Sequence, residues 1–168
     1  MYIYLTSGTP DFMQLLELEH PEETMISLQG EENTVLLHET VESTIFESPR
    51  KYEILDQSGE LHSKGFFVFN NIPVTDEGRP IFEQRFQNRA RAIENEPGFV
   101  AIRVMRPLNS DTYIILTEWS EESAFKAWQS SQAYNTAHKK RGTDEGIDKR
   151  PNIFAGPTYV KTYTGVYK

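Results

Sequence analysis

The sequence has 168 residues and no cysteine. Disulfides, thiolate metal sites and cysteine-bound iron–sulfur clusters are therefore excluded. Long apolar runs are missing too, because runs such as residues 66–69 and 113–116 fall far short of the ~20 residues that span a bilayer. The first four residues lack a basic region and a long apolar stretch. We therefore expect no signal peptide and predict a cytoplasmic protein without a membrane partner.

Basic residues are few: 17 against 25 acidic ones, for a net charge of −8. This balance argues against nonspecific nucleic-acid binding, which uses basic patches. Acidic residues are concentrated in residues 1–60, and the one dense basic stretch is Lys139-Lys140-Arg141. That stretch is either a solvated helix end or a place where a small anion binds. The sequence has no glycine-rich phosphate loop, so NAD, FAD and ATP are not implied.

The first sixty residues predict a small β-α-β-β-β unit. Thr9-Pro10 begins a helix, with a capping threonine and a proline in the first turn, and His20-Pro21 ends it. Strands are expected at residues 1–6, 25–29, 34–40 and 51–55.

Residues 65–168 predict a second unit, of order β-α-β-β-α-β. Strands are expected at residues 66–72, 99–106, 111–119 and 158–167. One helix begins near Pro80, and Ser120 caps another that runs to about residue 129 and is followed by a further helical piece. This order is ferredoxin-like, an α+β fold in which two helices cover one face of a four-stranded antiparallel sheet. The other face needs a second sheet, from another chain or from residues 1–60.

Three residues of the second unit could carry chemistry. Asn70 lies on an apolar strand, where its amide must either bond the backbone or face a ligand. Trp128 is on a helix with Phe125 and is either a core residue or part of a site. His138 follows near a helix end, where it is either a partner of the helix dipole or an iron ligand. No two histidines have the spacing of a zinc site.

Five segments together resemble a known family: Phe66-x-Val68-x-Asn70-x-Ile72, Glu83-x-x-Phe86, Pro97-Gly98-Phe99, Phe125-x-Ala127-Trp128 and Ala137-His138. They are similar to the antibiotic-biosynthesis-monooxygenase-like, dimeric α+β barrel superfamily. Within it they resemble the IsdG-type haem-degrading monooxygenases. The resemblance covers roughly residues 65–167, and the acidic segment ahead of it resembles the layout of a two-part member of that family.

The resemblance implies a function and a role for each of the three residues. His138 would be the axial ligand of the haem iron, Asn70 the distal hydrogen-bonding group, and Trp128 the side chain that presses on the porphyrin. Haem would be both substrate and cofactor, degraded with O2 and an external electron donor to an open-chain tetrapyrrole with release of iron. The alternatives are a non-catalytic haem-binding or storage protein, a cofactor-free quinol-type monooxygenase, and a sensor module in which the three residues are structural.

The family norm is a short domain that dimerises, whereas here a further segment precedes that domain. Residues 1–60 contain no tryptophan and no Asn-Trp-His set. We therefore predict two parts, an N-terminal ferredoxin-like half at 1–60 and a haem monooxygenase domain at 65–168. Their sheets would form a pseudo-dimeric α+β barrel in a monomer with one haem site, with a homodimer as the alternative.

Overall fold

The computed structural model describes residues 1–87, 92–131 and 153–166. The elements within these ranges are β1 (Tyr2–Gly8), α1 (Pro10–Glu19), β2 (Thr24–Gln29), β3 (Thr34–Thr40), β4 (Arg50–Ser58), β5 (Phe66–Pro73), α2 (Arg79–Gln87), a 3₁₀ turn (Ala92–Asn95), β6 (Phe99–Pro107), β7 (Thr112–Trp119), α3 (Glu122–Gln129) and β8 (Tyr159–Val166). The strands and helices lie in the predicted order. The helical piece predicted to end near His138 lies outside the described residues.

The eight strands close into one antiparallel barrel in the order β1-β3-β2-β8-β5-β7-β6-β4. Each half contributes four adjacent strands in the same relative order, β4-β1-β3-β2 and β8-β5-β7-β6. The halves join edge to edge, through β2 with β8 and β4 with β6. The predicted pseudo-dimeric α+β barrel is thereby confirmed. Closure pairs strand edges that an open sheet would leave exposed.

Side chains on each strand alternate between the barrel interior and its outer face. On β5, Phe67 and Phe69 point inward and are almost completely buried. They pack with the rest of the interior core: Ile3, Leu5, Ile26, Leu28, Val35, Leu37, Tyr52, Met105, Ile114, Leu116 and Tyr163. The alternate β5 side chains, Phe66, Val68, Asn70 and Ile72, therefore point to the outer face.

Two apolar clusters cover the outer face of the C-terminal half. The α2 cluster consists of Ile72, Val74, Phe82, Tyr113 and Ile153, with Leu55, Phe86, Ile115 and Phe154 packed against it. The α3 cluster consists of Phe66, Val68, Trp119 and Phe125, with Ile93, Phe99, Ala124 and Trp128 packed against it. Along β5, Asn70 lies between the two clusters, because Val68 belongs to the α3 cluster and Ile72 to the α2 cluster.

The N-terminal half keeps the sheet order but has one α-helix. Met13 of α1 packs on the outer face with Leu36, and Phe46 from the segment after β3 completes this cluster. Phe46 thus occupies a place that the C-terminal half gives to a second helix. The predicted cap of α1 is confirmed, because the Thr9 hydroxyl accepts a hydrogen bond from the Phe12 N–H at 3.3 Å.

The predicted Ser120 cap of α3 is wrong. Glu121 holds the cap position and makes no capping hydrogen bond with its side chain. The Ser120 N–H instead donates to the Gly98 carbonyl at 2.8 Å, which ties this residue to the turn before β6. In the described part of the chain, no helix is long and apolar enough to cross a membrane.

Candidate functional site

Asn70 lies on the outer face with apolar residues on all four sides. Val68 and Ile72 are its same-face neighbours on β5, while Ile115 of β7 and Val160 of β8 are its partners across the sheet. Asn70 is half-buried, and its side-chain amide makes no hydrogen bond with the described residues. Of the two roles open to it from sequence, bonding the backbone is therefore not the one it adopts here.

The adjacent Asn71 behaves in the opposite way. It points to the interior, is 3% exposed, and donates from Nδ2 to the Phe69 carbonyl at 3.1 Å. The two successive asparagines of β5 thus have different roles. Asn71 is a satisfied core amide, whereas Asn70 presents its amide to the outer face.

Trp128 lies on α3 at one end of the same outer face. Its ring centroid is 5.5 Å from that of Trp119 and 6.2 Å from that of Phe125. It belongs to the α3 cluster together with Val68, the outward residue next to Asn70. Trp128 also lines an open groove of about 480 Å³ beside the Pro97-Gly98 turn.

Trp119 is the structural tryptophan of the pair. It is fully buried, and its Nε1–H donates to the Thr117 hydroxyl at 3.0 Å. Trp119 is therefore a core residue. Trp128, in contrast, is only half-buried.

His138 and the basic stretch Lys139-Lys140-Arg141 lie outside the described residues, so their predicted roles stay predictions. The fully buried His38 belongs to the N-terminal half, where its ring nitrogens lie 2.9 Å from the Thr44 hydroxyl and 3.1 Å from a Glu23 carboxylate oxygen. Among residues 1–87, 92–131 and 153–166, no group of three His, Cys, Asp or Glu side chains could hold a metal ion.

On the other side of Asn70, a cavity of about 160 Å³ opens between α2, β4 and β6. Phe86 and Val104 line it, together with the Glu83 carboxylate. Val104 of β6 pairs with Ile115 of β7, and Ile115 pairs with Asn70 of β5. Val104, which lines the cavity, therefore belongs to the same row of paired residues across the sheet as Asn70.

A charged network anchors α2 beside this cavity. The Arg106 guanidinium binds both oxygens of Glu83, at 2.5 and 2.9 Å, and reaches Glu53 of β4 at 2.8 Å. The Tyr113 hydroxyl donates to the same Glu83 carboxylate. The hydrogen bonds from Arg106 lower the pKa of Glu83, and burial raises that of Tyr113. In the sequence, Glu83 stands out only as part of a motif and Arg106 has no local signal, because their pairing joins residues far apart in the chain.

The arrangement of sheet and helices agrees with a family comparison. Residues 65–140 match the model for antibiotic biosynthesis monooxygenases. This part of the chain is an antibiotic biosynthesis monooxygenase domain. The family resemblance predicted from sequence is confirmed. The match includes Asn70 and Trp128 and ends two residues after His138.

Proteins that are similar to most of this chain have two kinds of name. A "heme-degrading monooxygenase" of Listeria monocytogenes is 26% identical over 148 residues, covering 86% of this chain and 89% of that protein. A "signal transduction protein TRAP" of Staphylococcus epidermidis is 24% identical over 140 residues, covering 83% and 84%.

Among solved structures, one described as a major regulator of staphylococcal pathogenesis superposes with a TM-score of 0.86. Its sequence is 22% identical, and the match covers 99% of this chain and 100% of that chain. At this identity the likeness establishes the fold, including the joining of the two halves.

Proposed function

We propose that the monooxygenase domain binds haem on its outer face and degrades it oxidatively to an open-chain tetrapyrrole with release of iron. O2 and an external electron donor are the co-reactants. The observation that carries this proposal is Asn70, an amide without a described hydrogen-bond partner at the centre of an apolar face.

The surroundings of Asn70 fit a large flat apolar ring that carries one polar group. Ile115 and Val160, its partners on the neighbouring strands, offer apolar surface around it. A purely apolar ligand covering Asn70 would leave its amide unpaired, at a cost of about 1–3 kcal/mol. Haem would avoid that cost, because Asn70 would donate its amide hydrogen bond to the polar centre that haem brings to this face. Bound haem would supply the iron that activates O2 and would itself be the substrate.

Each proposed residue has a distinct task. The Asn70 Nδ2–H would donate a hydrogen bond to a polar group of the bound ligand and orient it. Trp128, whose ring contacts Trp119 and Phe125, would pack against the porphyrin. By the family resemblance, His138 would hold the haem iron, since a neutral imidazole is the usual iron ligand where no cysteine exists.

We further propose that the N-terminal half completes the barrel without a site of its own, so that one chain holds one haem. By topology, β1 corresponds to β5, and its outward side chains include Tyr2 and Tyr4, which join the cluster formed with Phe46. Apolar side chains therefore cover that face, and its strand β1 contains no asparagine. Light scattering of the haem-loaded protein should give the monomer mass and one haem per chain.

The test of function is a hemin titration followed by turnover. The full chain should develop a Soret band at one equivalent, and ascorbate in air with catalase present should abolish it and release chelatable iron. Asn70→Ala should keep the binding but slow the loss of the band by roughly 10-fold or more, the scale of a lost hydrogen bond in a preorganised site. His138→Ala should weaken binding and shift the band.

Two other substitutions in the same chain serve as controls. Asn71→Ala removes the adjacent asparagine, which faces the interior, and should lower stability without slowing the loss of the Soret band. His20→Ala removes a histidine of the N-terminal half that lies beside Glu22 and should change neither measurement. A Soret band that persists with reductant and O2 would point to haem storage, and equal haem binding by His138→Ala would refute the ligand assignment.

A further inference from the structure

Helix α1 exposes an apolar stripe where a surface helix would present polar side chains. Phe12, Leu15 and Leu18 are 54%, 49% and 58% exposed, although Met13 of the same helix is buried. These three residues recur every third position and so lie on one side of the helix. Isolated exposed apolar residues are ordinary, but three along ten helical residues form a patch that favours contact with another molecule.

The charged side chains of α1 are all acidic. Asp11 and Glu19 are exposed on the same helix, which has no basic residue. Residues 1–60 contain 13 acidic side chains and only two basic ones, Arg50 and Lys51. An acidic surface with an apolar centre complements a basic surface that carries apolar side chains.

This charge also disfavours the other possible occupants. A second copy docked through the same face would bring two acidic halves together, and like charges across an interface are unfavourable. An anionic membrane surface would be repelled for the same reason. We propose that the α1 stripe, Phe12, Leu15 and Leu18 with Asp11 and Glu19, is a docking surface for a basic partner protein. The proposal is independent of the haem site, because α1 covers the sheet of the other half of the barrel.

The stripe can be tested on the full chain with a defined probe. The probe is a fluorescein-labelled helical peptide of 18 residues built from Leu and Lys, compared with a counterpart in which Glu replaces every Lys. Fluorescence anisotropy should show binding of the Lys peptide only, weakening as salt is added. Hydrogen exchange in the complex should be slowed in residues 10–19.

Matched variants separate the apolar contribution from the charge. Leu15→Ser with Leu18→Ser should weaken binding at least 10-fold, and Asp11→Asn with Glu19→Gln should weaken it and reduce the salt dependence. Leu108→Ser is the control, because Leu108 is 49% exposed in the other half and should leave binding within twofold. Circular dichroism checks that each variant is folded.

Several results would overturn the proposal. Equal binding of the Glu peptide, unchanged binding by the Leu15/Leu18 variant, or protection confined to other segments would each do so. Sedimentation that found a dimer dissociated by the same double variant would assign the stripe to a second copy. Binding to phosphatidylcholine or phosphatidylglycerol vesicles that depends on Leu15 and Leu18 would assign it to a lipid surface.

Discussion

Glu118 offers the sharpest test of the energetics of this barrel. Its side chain points into the barrel next to Phe67 and is 1% exposed. One carboxylate oxygen accepts a hydrogen bond from the His62 N–H at 2.7 Å. Burial raises the pKa of Glu118 to about 7, against the opposing effects of that hydrogen bond and of the Arg103 charge.

The sign of the pH dependence follows from this raised pKa. The folded protein binds a proton on Glu118 more tightly than the unfolded chain does, so the stabilising effect is complete below the ordinary pKa of 4.5 and is lost as the pH rises through about 7. The difference between the two pKa values corresponds to about 3 kcal/mol at ~1.4 kcal/mol for each pKa unit. Most of this loss, about 2–3 kcal/mol, falls between pH ~5 and pH ~8.

Glu118→Gln should remove this loss. The glutamine oxygen can still accept from the His62 N–H, and Arg103 keeps its 2.7 Å ion pair with Glu39. The free energy of unfolding of the variant, measured in urea and compared with wild type, should therefore gain about 2–3 kcal/mol from pH ~5 to pH ~8. In thermal scans this is a relative rise of about 5–10 °C.

Glu47→Gln is the control, because Glu47 is exposed in the segment after β3 and should give the same small difference at both pH values. If the difference between Glu118→Gln and wild type does not change with pH, burial does not hold the Glu118 proton as argued here.

Two further substitutions test how the outer face is built. Gly98→Ala should lower the free energy of unfolding by about 1–3 kcal/mol in urea, because φ is 83° and a Cβ would lie 2.4 Å from the Ala124 Cβ. Adding Ala124→Gly should recover only the part of the free energy of unfolding that is lost through the contact with the Ala124 Cβ. Full recovery would contradict the conclusion that the positive φ of residue 98 also costs stability. Arg106→Met should cost about 1–3 kcal/mol by leaving Glu83 and Glu53 without their cation, and less when Glu83→Gln is also present. A purely additive double-mutant cycle would rule out that coupling.

Local sequence signals predicted many elements of this fold. Thr9-Pro10 marks the start of α1, and β3 has the predicted bounds, because capping and alternation act over a few residues. The prediction from local signals was wrong at Ser120. The backbone N–H of this residue donates to the Gly98 carbonyl, and Ser120 does not cap α3. That competing bond joins two segments over 20 residues apart, which a local pattern does not contain.

The residues of the candidate site, too, were predicted only in part from the sequence. Sequence alone selected Asn70 and Trp128 as residues with two possible roles, and the family resemblance joined them with His138 into one set. Only the tertiary structure distinguished Asn70 from Asn71, because strand register decides which of two adjacent amides meets a backbone carbonyl and which points outward.

Composition and periodicity by themselves determined the fold class, the absence of cysteine chemistry and the acidic character of the first sixty residues. The tertiary structure decided how the two halves join, through β2 with β8 and β4 with β6, and brought Arg106 to Glu83 and Glu53. It also left Phe12, Leu15 and Leu18 uncovered. These features depend on contacts between distant segments, and such contacts exist only once the barrel has closed.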